Sequence, residues 1–322
     1  MTSLSGESIL VTGASGFIGT HLVRRLVARG AQVVALDLKA PREELPTVRY
    51  VRGDVRNLGQ LDLPKIDRIF NLAAVHTTPG HPDQAYYDTN VWGAIEAVKL
   101  AERDDVAHIT FTSSISIYGP SEEKKTETSA PAPVSAYGKS KLMAEEIHRG
   151  WLKQADGRKL TIVRPAVVFG AGEGGNFARM AALLKKDLFV FPGRRDTIKS
   201  CIYVEDLLDL VLAAGATNTG YELLNGSYLE CPTLETIVTT LRDNYFPKAK
   251  LYDVPRSVVM GAANTLSIFN GFGLGIHPDR VTKLLRSTYV YPEWSGRHGV
   301  LGDASLAKGI DRWADATGRS FV

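Results

Sequence analysis

The sequence has few cysteines, no excess of one charge and no long apolar run. Cys201 and Cys231 are too few for a disulfide scaffold or a four-cysteine zinc site, and we expect both as small buried side chains. Lysine plus arginine number 38 and aspartate plus glutamate 35, a balance that argues against a dedicated nucleic-acid-binding protein. No window approaches the roughly 18 uninterrupted apolar residues of a membrane-spanning helix, and no secretory signal is visible. We therefore predict a cytoplasmic protein without a metal site and without nucleic-acid or membrane partners.

The first half of the chain alternates two periodicities. Short runs rich in β-branched residues predict strands at Ile9–Val11, Gln32–Leu36, Val48–Val51, Arg68–Asn71, His108–Phe111 and Leu160–Val163. Longer amphipathic patterns between them predict helices at Phe17–Arg29, Tyr86–Arg103 and Ala136–Lys153. The alternation predicts an α/β fold in which helices cover both faces of a doubly wound parallel sheet. Such sheets bind ligands at the carboxyl ends of their strands, so functional residues should follow the apolar runs.

A glycine-rich turn joins the first predicted strand to the first helix. Glycine permits a tight turn and lets backbone N–H groups approach a pyrophosphate at the helix N-terminus, where the helix dipole favours an anion. The spacing Gly-x-x-Gly-x-x-Gly differs from the Gly-x-Gly-x-x-Gly dinucleotide fingerprint, but its context between strand and helix is the same. It predicts a dinucleotide site formed by Gly13, Gly16, Phe17, Ile18 and Gly19.

Residues after the next strands complete this candidate site. Asp37 ends the second strand, where a carboxylate can bind the adenosine ribose diol and repel a 2′-phosphate, so NAD is favoured over NADP. Lys39 lies close enough to soften that preference, and Asp37 can also be explained as a solvated carboxylate at a strand end. Asp54 and Val55 are candidates for contacts with the adenine. The small residues of Leu72–Ala74 would let a dinucleotide lie across the strand tips.

Tyr137 and Lys141 lie one turn apart on a predicted helix and therefore on one face. A free tyrosine has a pKa of about 10, and a nearby ammonium together with a positive nicotinamide ring would bring that pKa toward neutrality. Ser114, at the end of the fifth strand, can hydrogen-bond the same substrate oxygen as the tyrosine. Ser113 and Ser116 can also be explained as residues that cap their own backbone.

These segments together resemble the extended short-chain dehydrogenase/reductase family, in particular its nucleotide-sugar epimerases and dehydratases. The resemblance extends over nearly the whole chain and rests on Gly13–Gly19, Asp37, Asn71–Ala74, Asn90–Gly93, Ser114, Tyr137–Lys141, Arg164–Pro165, Lys199–Asp206 and Gly302–Lys308. It implies a Rossmann-type fold with NAD as cofactor, and it adds Asn90 and Pro165 to the expected cofactor contacts. It also implies a homodimer formed through the helices Tyr86–Arg103 and Ala136–Lys153.

The resemblance also implies a chemistry. Tyr137 removes a proton from a sugar hydroxyl while hydride passes to NAD, Lys141 lowers the pKa of Tyr137 and holds the nicotinamide ribose, and Ser114 positions the hydroxyl. Family members that eliminate or decarboxylate carry an acid just after the catalytic serine, where this chain has Ile115 and Ser116. We therefore expect a nucleotide-sugar 4-epimerase. The alternatives are a reductase of nucleotide-linked 4-keto sugars and, less favoured, a 3β-hydroxysteroid-type dehydrogenase; a non-catalytic protein on the same fold is least favoured.

The second half of the chain has a looser pattern. We expect an NAD-binding Rossmann domain over residues 1–165, to which residues 200–215 return, and a smaller irregular substrate-binding lobe over residues 166–322. Helices are predicted at Asn176–Lys185, Glu205–Ala214, Leu234–Asn244 and Asp279–Arg286, and the apolar stretch Val254–Ile276 is interpreted as a buried or substrate-covering helix.

Residues of this lobe, and the serines after the fifth strand, are candidates for binding a nucleotide-diphosphate sugar. The proposed substrate contacts are Ser114, Ser116, Asn176, Lys199 and Arg297, with Arg194 and Arg195 as further diphosphate ligands or as solvated surface residues. Lys199 stands where the family has an arginine that binds the diphosphate, and Val167 and Val168 are apolar where many members have an asparagine. The apolar segments Val167–Phe169 and Val254–Ile276 lend some support to the steroid-type alternative.

Overall fold

A computed structural model describes residues 4–77, 80–255, 257–258 and 285–322. Its strands are β1 (Ser8–Thr12), β2 (Gln32–Asp37), β3 (Arg49–Arg52), β4 (Arg68–Asn71), β5 (His108–Thr112), β6 (Ser121–Lys125), β7 (Lys159–Pro165), β8 (Val167–Phe169), β9 (Leu188–Pro192), β10 (Cys201–Tyr203), β11 (Tyr221–Gly226), β12 (Lys250–Val254) and β13 (Thr288–Val290). Its helices are α1 (Phe17–Val27), α2 (Asp83–Asp104), α3 (Ala136–Lys153), α4 (Asn176–Leu184), α5 (Val204–Ala216), α6 (Leu234–Tyr245), α7 (Glu293–His298) and α8 (Leu306–Ala316). Short 3-10 helices span Val55–Gln60 and Ile115–Tyr118.

Seven strands form one parallel sheet in the order β11-β7-β5-β4-β1-β2-β3. β2 and β3 lie on one side of β1, and β4, β5, β7 and β11 follow one another on the other side. In the register of the two central pairs, Ile9 lies opposite Val33 of β2 and opposite Arg68 of β4. Strand order therefore reverses between β1 and β4, and their carboxyl ends border the crevice in which such sheets bind ligands. The predicted α/β fold with a doubly wound parallel sheet is confirmed.

Both faces of the sheet are buried by helices. Ile9 and Val11 of β1 pack in the core under α1 and α5, whereas Leu10 between them packs in the core under α2 and α3. Successive residues of a strand point to opposite faces, so a strand covered on both sides has apolar residues at every position. This is why the strands of the first half are recognisable as continuous apolar runs.

The structure also shows where the sequence pattern was incomplete. β11 was not predicted, because Glu222 and Asn225 interrupt its apolar run; both have protein partners, with Trp294 Nε1 donating to Glu222 at 2.7 Å and Tyr118 Oη to Asn225 at 2.9 Å. In residues 200–215, α5 packs against β7 and β11, whereas β10 pairs with β8 instead of joining the large sheet. The division of the chain into two domains stays a prediction.

Three further expectations concern buried thiols, membrane spans and the apolar stretch. Cys201 and Cys231 are both buried and free, as predicted. Within the described ranges, no helix combines the length and the apolar composition that a bilayer span requires. The stretch Val254–Ile276 and the predicted helix Asp279–Arg286 fall mostly outside the described residues.

Candidate active site

The predicted cofactor residues collect along the carboxyl edge of the large sheet. They are Gly13 after β1, Asp37 in β2, Asp54 after β3, Leu72, Ala73 and Ala74 after β4, and Pro165 in β7, and the predicted catalytic residue Ser114 lies at the same edge after β5. The topology thus brings together side chains that lie far apart in the sequence.

The glycine-rich turn lies where β1, β4 and α1 meet. Gly13 has a φ of +72°, and a Cβ on it would lie 2.8 Å from the backbone nitrogen of Ala73. A Cβ on Gly19 would overlap the carbonyl oxygen of Gly13, so α1 approaches the turn as closely as only glycine permits. No described side chain caps α1, and the backbone N–H groups of Phe17 and Ile18 in its first turn are left for an anion. The residues of this turn fit the pyrophosphate of NAD.

Asp37 lies beside the turn and has two roles available to it. Its carboxylate oxygens accept hydrogen bonds from the backbone nitrogens of Ser15 and Lys39, each at 3.0 Å, which holds the turn against the end of β2. A carboxylate offers about four acceptor positions, so both oxygens retain capacity for the hydroxyls of a ribose. The carboxylate fits the predicted ribose contact.

Asp54 is already engaged by its neighbour Arg56. The guanidinium Nε of Arg56 lies 3.0 and 2.9 Å from the two carboxylate oxygens, and these hydrogen bonds hold the pKa of Asp54 below its ordinary value. Val55, the next residue, is buried against Gly93 of α2. A contact from Asp54 to adenine would therefore have to share the carboxylate with Arg56.

Asn90 is buried, and protein groups satisfy its amide. Its Oδ1 accepts from the backbone nitrogen of Val75 at 2.9 Å, and its Nδ2 donates to the Val75 carbonyl at 3.2 Å and to Ser140 Oγ at 2.9 Å. Asn90 thereby ties the loop after β4 to α3. A direct contact from Asn90 to the cofactor stays a prediction.

Ser114 and Tyr137 bring two hydroxyl groups together. Ser114 Oγ accepts from the backbone nitrogen of Ser116 at 3.1 Å and donates to Ser116 Oγ at 3.1 Å. Burial raises the pKa of Tyr137 to about 12, and a hydrogen bond with Ser114 acts in the opposite direction. The converging hydroxyls of Ser114 and Tyr137 are the arrangement that the sequence predicted.

Lys141 is buried one helical turn after Tyr137. Its Nζ donates to the carbonyl of Thr112 at 2.9 Å and lies 4.9 Å from the centre of the Phe111 ring. Burial lowers the pKa of Lys141 to about 7, while the charge of Glu145 acts in the raising direction. In the protein by itself, burial outweighs the hydrogen bond with Ser114, so the phenol of Tyr137 stays protonated at neutral pH.

A buried ion pair, which sequence reasoning did not identify, fixes α3 to the sheet. Arg164 of β7 donates to both carboxylate oxygens of Glu145 at 2.9 and 2.7 Å, and Arg149 adds a third hydrogen bond at 2.7 Å. Burial alone would raise the pKa of Glu145, but the hydrogen bonds from Arg164 hold it below its ordinary value. Arg164 also donates to Tyr118 Oη at 2.7 Å, and Tyr118 donates to Asn225.

A second buried chain of hydrogen bonds links α3 to the glycine-rich turn. Burial lowers the pKa of His148 to about 4, so its ring is neutral at pH 7. Nδ1 donates to the Ala144 carbonyl at 2.6 Å, and Nε2 accepts from Asn71 Nδ2 at 3.3 Å. Asn71 Oδ1 accepts from Thr12 Oγ1 at 2.8 Å, and Thr12 Oγ1 accepts from the backbone nitrogen of Ala73 at 3.2 Å.

His76, in the loop after β4, was also not singled out from the sequence. Desolvation lowers the pKa of His76, and the positive charge of Lys141 adds to this effect. The signal for it was weak, because a histidine a few residues beyond a strand end has no spacing that marks a site.

The substrate-side candidates Asn176 and Lys199 lie in the second half of the chain. Asn176 opens α4, and its Oδ1 accepts from Arg179 at 3.0 Å. Lys199 Nζ donates to the Arg286 carbonyl at 2.5 Å, and burial lowers the pKa of Lys199 to about 8. Both polar groups are engaged by protein atoms in this structure.

The three arginines considered as diphosphate ligands are placed differently from one another. Arg194 and Arg195 each form ion pairs with two carboxylates. Arg297 is exposed on α7, whose Trp294 contacts Glu222 near the amino end of β11. None of the described contacts joins Arg297 to another predicted site residue.

We predict that Glu145→Gln lowers the free energy of unfolding by about 3 kcal/mol or more, because it leaves the Arg164 charge buried without its anion. Glu146→Gln is the matched control, since Glu146 also pairs with Arg149 but is 66% exposed, and it should cost about 0.5 kcal/mol or less. Urea unfolding at pH 7 measures both, and equal effects would contradict the assignment.

The same pair predicts a pH dependence of stability. The pKa of Glu145 in the folded protein is below its ordinary value of 4.5, so its contribution is complete above that pH and is lost as the pH falls through the folded pKa. The stability difference between the wild type and Glu145→Gln should therefore shrink on acidification. A difference that stays constant down to the acid transition would argue against the ion pair.

For the cofactor, we predict that Asp37→Asn raises the affinity for NADP relative to NAD by about tenfold or more, since like charges brought together cost several kcal/mol. The asparagine keeps an acceptor for the turn but removes the charge. Direct binding measurements test this, with Asp62→Asn, a fully solvated carboxylate near β3, as control. An unchanged ratio of the two dissociation constants would remove Asp37 from the ribose site.

A family model and two curated relatives match the chain. The model of the NAD-dependent epimerase/dehydratase family matches residues 9–225. The chain is 30% identical over 315 residues to N-acetyl-α-D-glucosaminyl-diphospho-ditrans,octacis-undecaprenol 4-epimerase of Escherichia coli O157:H7, which covers 95% of this chain and 94% of that protein. It is 30% identical over 235 residues to UDP-glucose 4-epimerase of Lactobacillus helveticus, which covers 64% of this chain and 71% of the relative.

The fold has a counterpart among solved structures. UDP-glucose 4-epimerase of Thermotoga maritima, determined with UDP-glucose, superimposes with a TM-score of 0.78 over 98% of this chain and 100% of that chain, at 20% identity. This likeness concerns the fold. Together with the glycine-rich turn and the group of Ser114, Tyr137 and Lys141, the matches show that the chain belongs to the NAD-dependent epimerase/dehydratase family of extended short-chain dehydrogenases/reductases.

Proposed function

We propose that the protein is an NAD-dependent 4-epimerase of a sugar carried on a diphosphate, with a nucleotide-diphosphate sugar as substrate. The observation that carries this proposal is the convergence of Ser114, Tyr137 and Lys141 at the carboxyl edge, without an acid at Ile115 or Ser116. Both curated relatives are named 4-epimerases, which supports the same reaction.

The cofactor would be held by groups that the fold places in one crevice. The first turn of α1 would take the pyrophosphate, Asp37 the adenosine ribose, and Lys141 the nicotinamide ribose. The chemistry that bound NAD supplies is reversible hydride transfer at a sugar carbon. Removal and return of the same hydride leaves the overall reaction redox-neutral, as epimerisation requires.

Tyr137 would move the proton of the sugar hydroxyl. Its Oη accepts the proton as the C4 alcohol becomes a ketone, and donates it back when the alcohol re-forms on the opposite face. Ser114 Oγ, beside Tyr137, would orient the same oxygen. The positive charges of Lys141 and of the oxidised nicotinamide ring both favour the phenolate, which offsets the effect of burial on the pKa of Tyr137.

Elimination or decarboxylation would need a carboxyl group near the sugar. Positions Ile115 and Ser116 supply none, and the buried Glu145 and the half-buried Glu127 have other partners. Glu145 is paired with Arg164, and Glu127 accepts hydrogen bonds from the backbone nitrogens of Asn225 and Glu293. Simple oxidation and reduction at one carbon is the chemistry that these residues support.

A polyprenyl-diphosphate-linked sugar is a second candidate substrate. The relative from Escherichia coli O157:H7, which matches almost end to end, is named for a substrate of this kind. Val167 and Val168 are apolar and Lys199 is a point charge, so this side of the site lacks the polar groups and the bidentate arginine expected for a nucleotide.

We also propose that the protein acts as a homodimer in the cytoplasm, with an NAD-binding domain over residues 1–165 and a substrate-binding lobe over residues 166–322. Helices α2 and α3 pack against each other within the protomer and leave Trp92 and Met143 exposed, which supports pairing through these helices.

The first experiment is an assay without added cofactor. We expect purified protein to contain NAD and to interconvert UDP-N-acetylglucosamine or UDP-glucose with its 4-epimer, without net formation of NADH. Turnover that consumes stoichiometric NADH would overturn the epimerase in favour of the reductase. Activity confined to sterol alcohols would favour the dehydrogenase alternative, and the polyprenyl-linked sugar is tested in the same way in detergent.

Tyr137→Phe should lower the epimerisation rate at least about 100-fold, because general acid–base catalysis contributes roughly that much, while NAD stays bound. Tyr87→Phe, on the neighbouring helix α2, is the matched control and should retain the wild-type rate. A Tyr137→Phe variant with most of its activity would exclude Tyr137 as the base.

A further inference from the structure

The outer face of the small parallel sheet β9–β12 is apolar, although a sheet face exposed to solvent is ordinarily polar. β9 buries its alternate residues and turns Leu188 and Val190 outward, with exposures of 41% and 39%. The register places Val190 opposite Tyr252, which is 49% exposed, and Leu188 opposite Lys250. We call Leu188, Val190, Lys250 and Tyr252 the β9–β12 face.

A cluster of lysines borders this face at the amino ends of both strands. Lys185 and Lys186 lie in the turn before β9, Lys248 lies two residues before β12, and Lys250 begins β12; all four are exposed. The two groups adjoin, because the backbone nitrogen of Lys250 donates to the Asp187 carbonyl at 2.9 Å. Within the described segments 185–187 and 248–250, Asp187 is the one acidic residue against four lysines, so these segments carry a net positive charge.

We propose that the β9–β12 face and the lysine cluster dock the protein on the surface of a bilayer that contains anionic lipids. Leucine, valine and tyrosine side chains can enter the headgroup region, while lysines beside them contact lipid phosphates. Interfaces between proteins are depleted in lysine and enriched in arginine, tryptophan and tyrosine. The composition of this surface therefore favours a lipid bilayer over a protein partner or a second copy of the chain.

The docking surface and the candidate substrate residues belong to the same part of the fold. α4, which begins at Asn176, packs against β9, and beyond the carboxyl end of β9 the chain continues through Arg194 to Lys199. The proposed function gives docking its purpose, because a sugar carried on a polyprenyl diphosphate would lie in the same membrane. Docking itself does not depend on that function. It revises the expectation of no membrane partner, which rested on the absence of spanning and targeting segments.

Vesicle flotation of the full-length protein tests the proposal. We expect the protein to float with phosphatidylcholine vesicles that contain 30% phosphatidylglycerol, to float poorly with pure phosphatidylcholine, and to be released in 1 M salt, where screening is strong. Absence of flotation with the anionic vesicles would overturn the proposal. Equal flotation with both kinds of vesicle would overturn it too, because the lysines would then have no role.

Two variants locate the surface. Lys186→Glu with Lys250→Glu should lower the partition coefficient at least about 25-fold, since each lysine near an anionic surface contributes about fivefold. Val190→Ser with Tyr252→Ser should lower it by about tenfold through lost apolar burial. Lys65→Glu with Lys153→Glu changes the net charge equally at exposed positions elsewhere and should have little effect. Equal losses in this control would overturn the assignment to the β9–β12 face.

Two further measurements separate the competing explanations. Epimerisation of a soluble UDP-sugar without vesicles should be unchanged in these variants, so loss of flotation with a full rate isolates docking. Vesicle binding without any epimerase activity would remove the proposed function and leave the docking surface standing. Light scattering in which the lysine variant alone turns a dimer into a monomer, with no vesicle binding by the wild type, would assign the face to a second copy instead.

Discussion

The arrangement of the active site depends on ionisable side chains that α3 turns toward the sheet and buries. Lys141, Glu145 and His148 all lie on its inner face and are almost fully excluded from solvent. A buried charge or a buried polar group without a partner is destabilising, so each of these side chains needs a partner at a defined position. Arg164 of β7 forms an ion pair with Glu145, and Asn71 of β4 donates a hydrogen bond to His148. The helix is therefore held to separate strands by directional contacts, in addition to apolar packing.

The position of Tyr137 follows from this attachment. Tyr137 lies in the first turn of α3, so any rotation of the helix that moved its hydroxyl away from Ser114 would also separate Glu145 from Arg164. The same burial that makes these contacts strong disfavours the charged forms of Tyr137 and Lys141 in the protein alone. A further positive charge placed beside Tyr137 would favour its phenolate.

The large sheet was predictable because its strands are buried on both faces and give continuous apolar runs. The spacing of Tyr137, Lys141 and the glycine-rich turn was similarly informative, since backbone geometry dictates it. The partners of Asp54 and Asn90 were not predictable: Arg56 and the backbone of Val75 carry no signature that marks them as competitors for these side chains.

Polar residues inside elements were the main source of error. β11 escaped prediction because its glutamate and asparagine bind partners on distant segments, which a local pattern cannot reveal. His148 follows Lys141 and Glu145 at helical spacing, so a signal existed. A lone histidine on an amphipathic helix, however, has many common explanations, and only the neighbouring Asn71 distinguishes among them.

The hydrogen-bond chain from the glycine-rich turn to α3 has a direction. Every link has one donor and one acceptor, from the backbone nitrogen of Ala73 through the hydroxyl of Thr12 to Asn71, and from the amide of Asn71 to His148. Substitution at these positions is therefore restricted by polarity as much as by size. Serine could replace Thr12, whereas valine of equal volume could not, and aspartate at position 71 would present an acceptor where His148 requires a donor. A designer who transplanted α3 onto another parallel sheet would have to carry these buried polar residues with it.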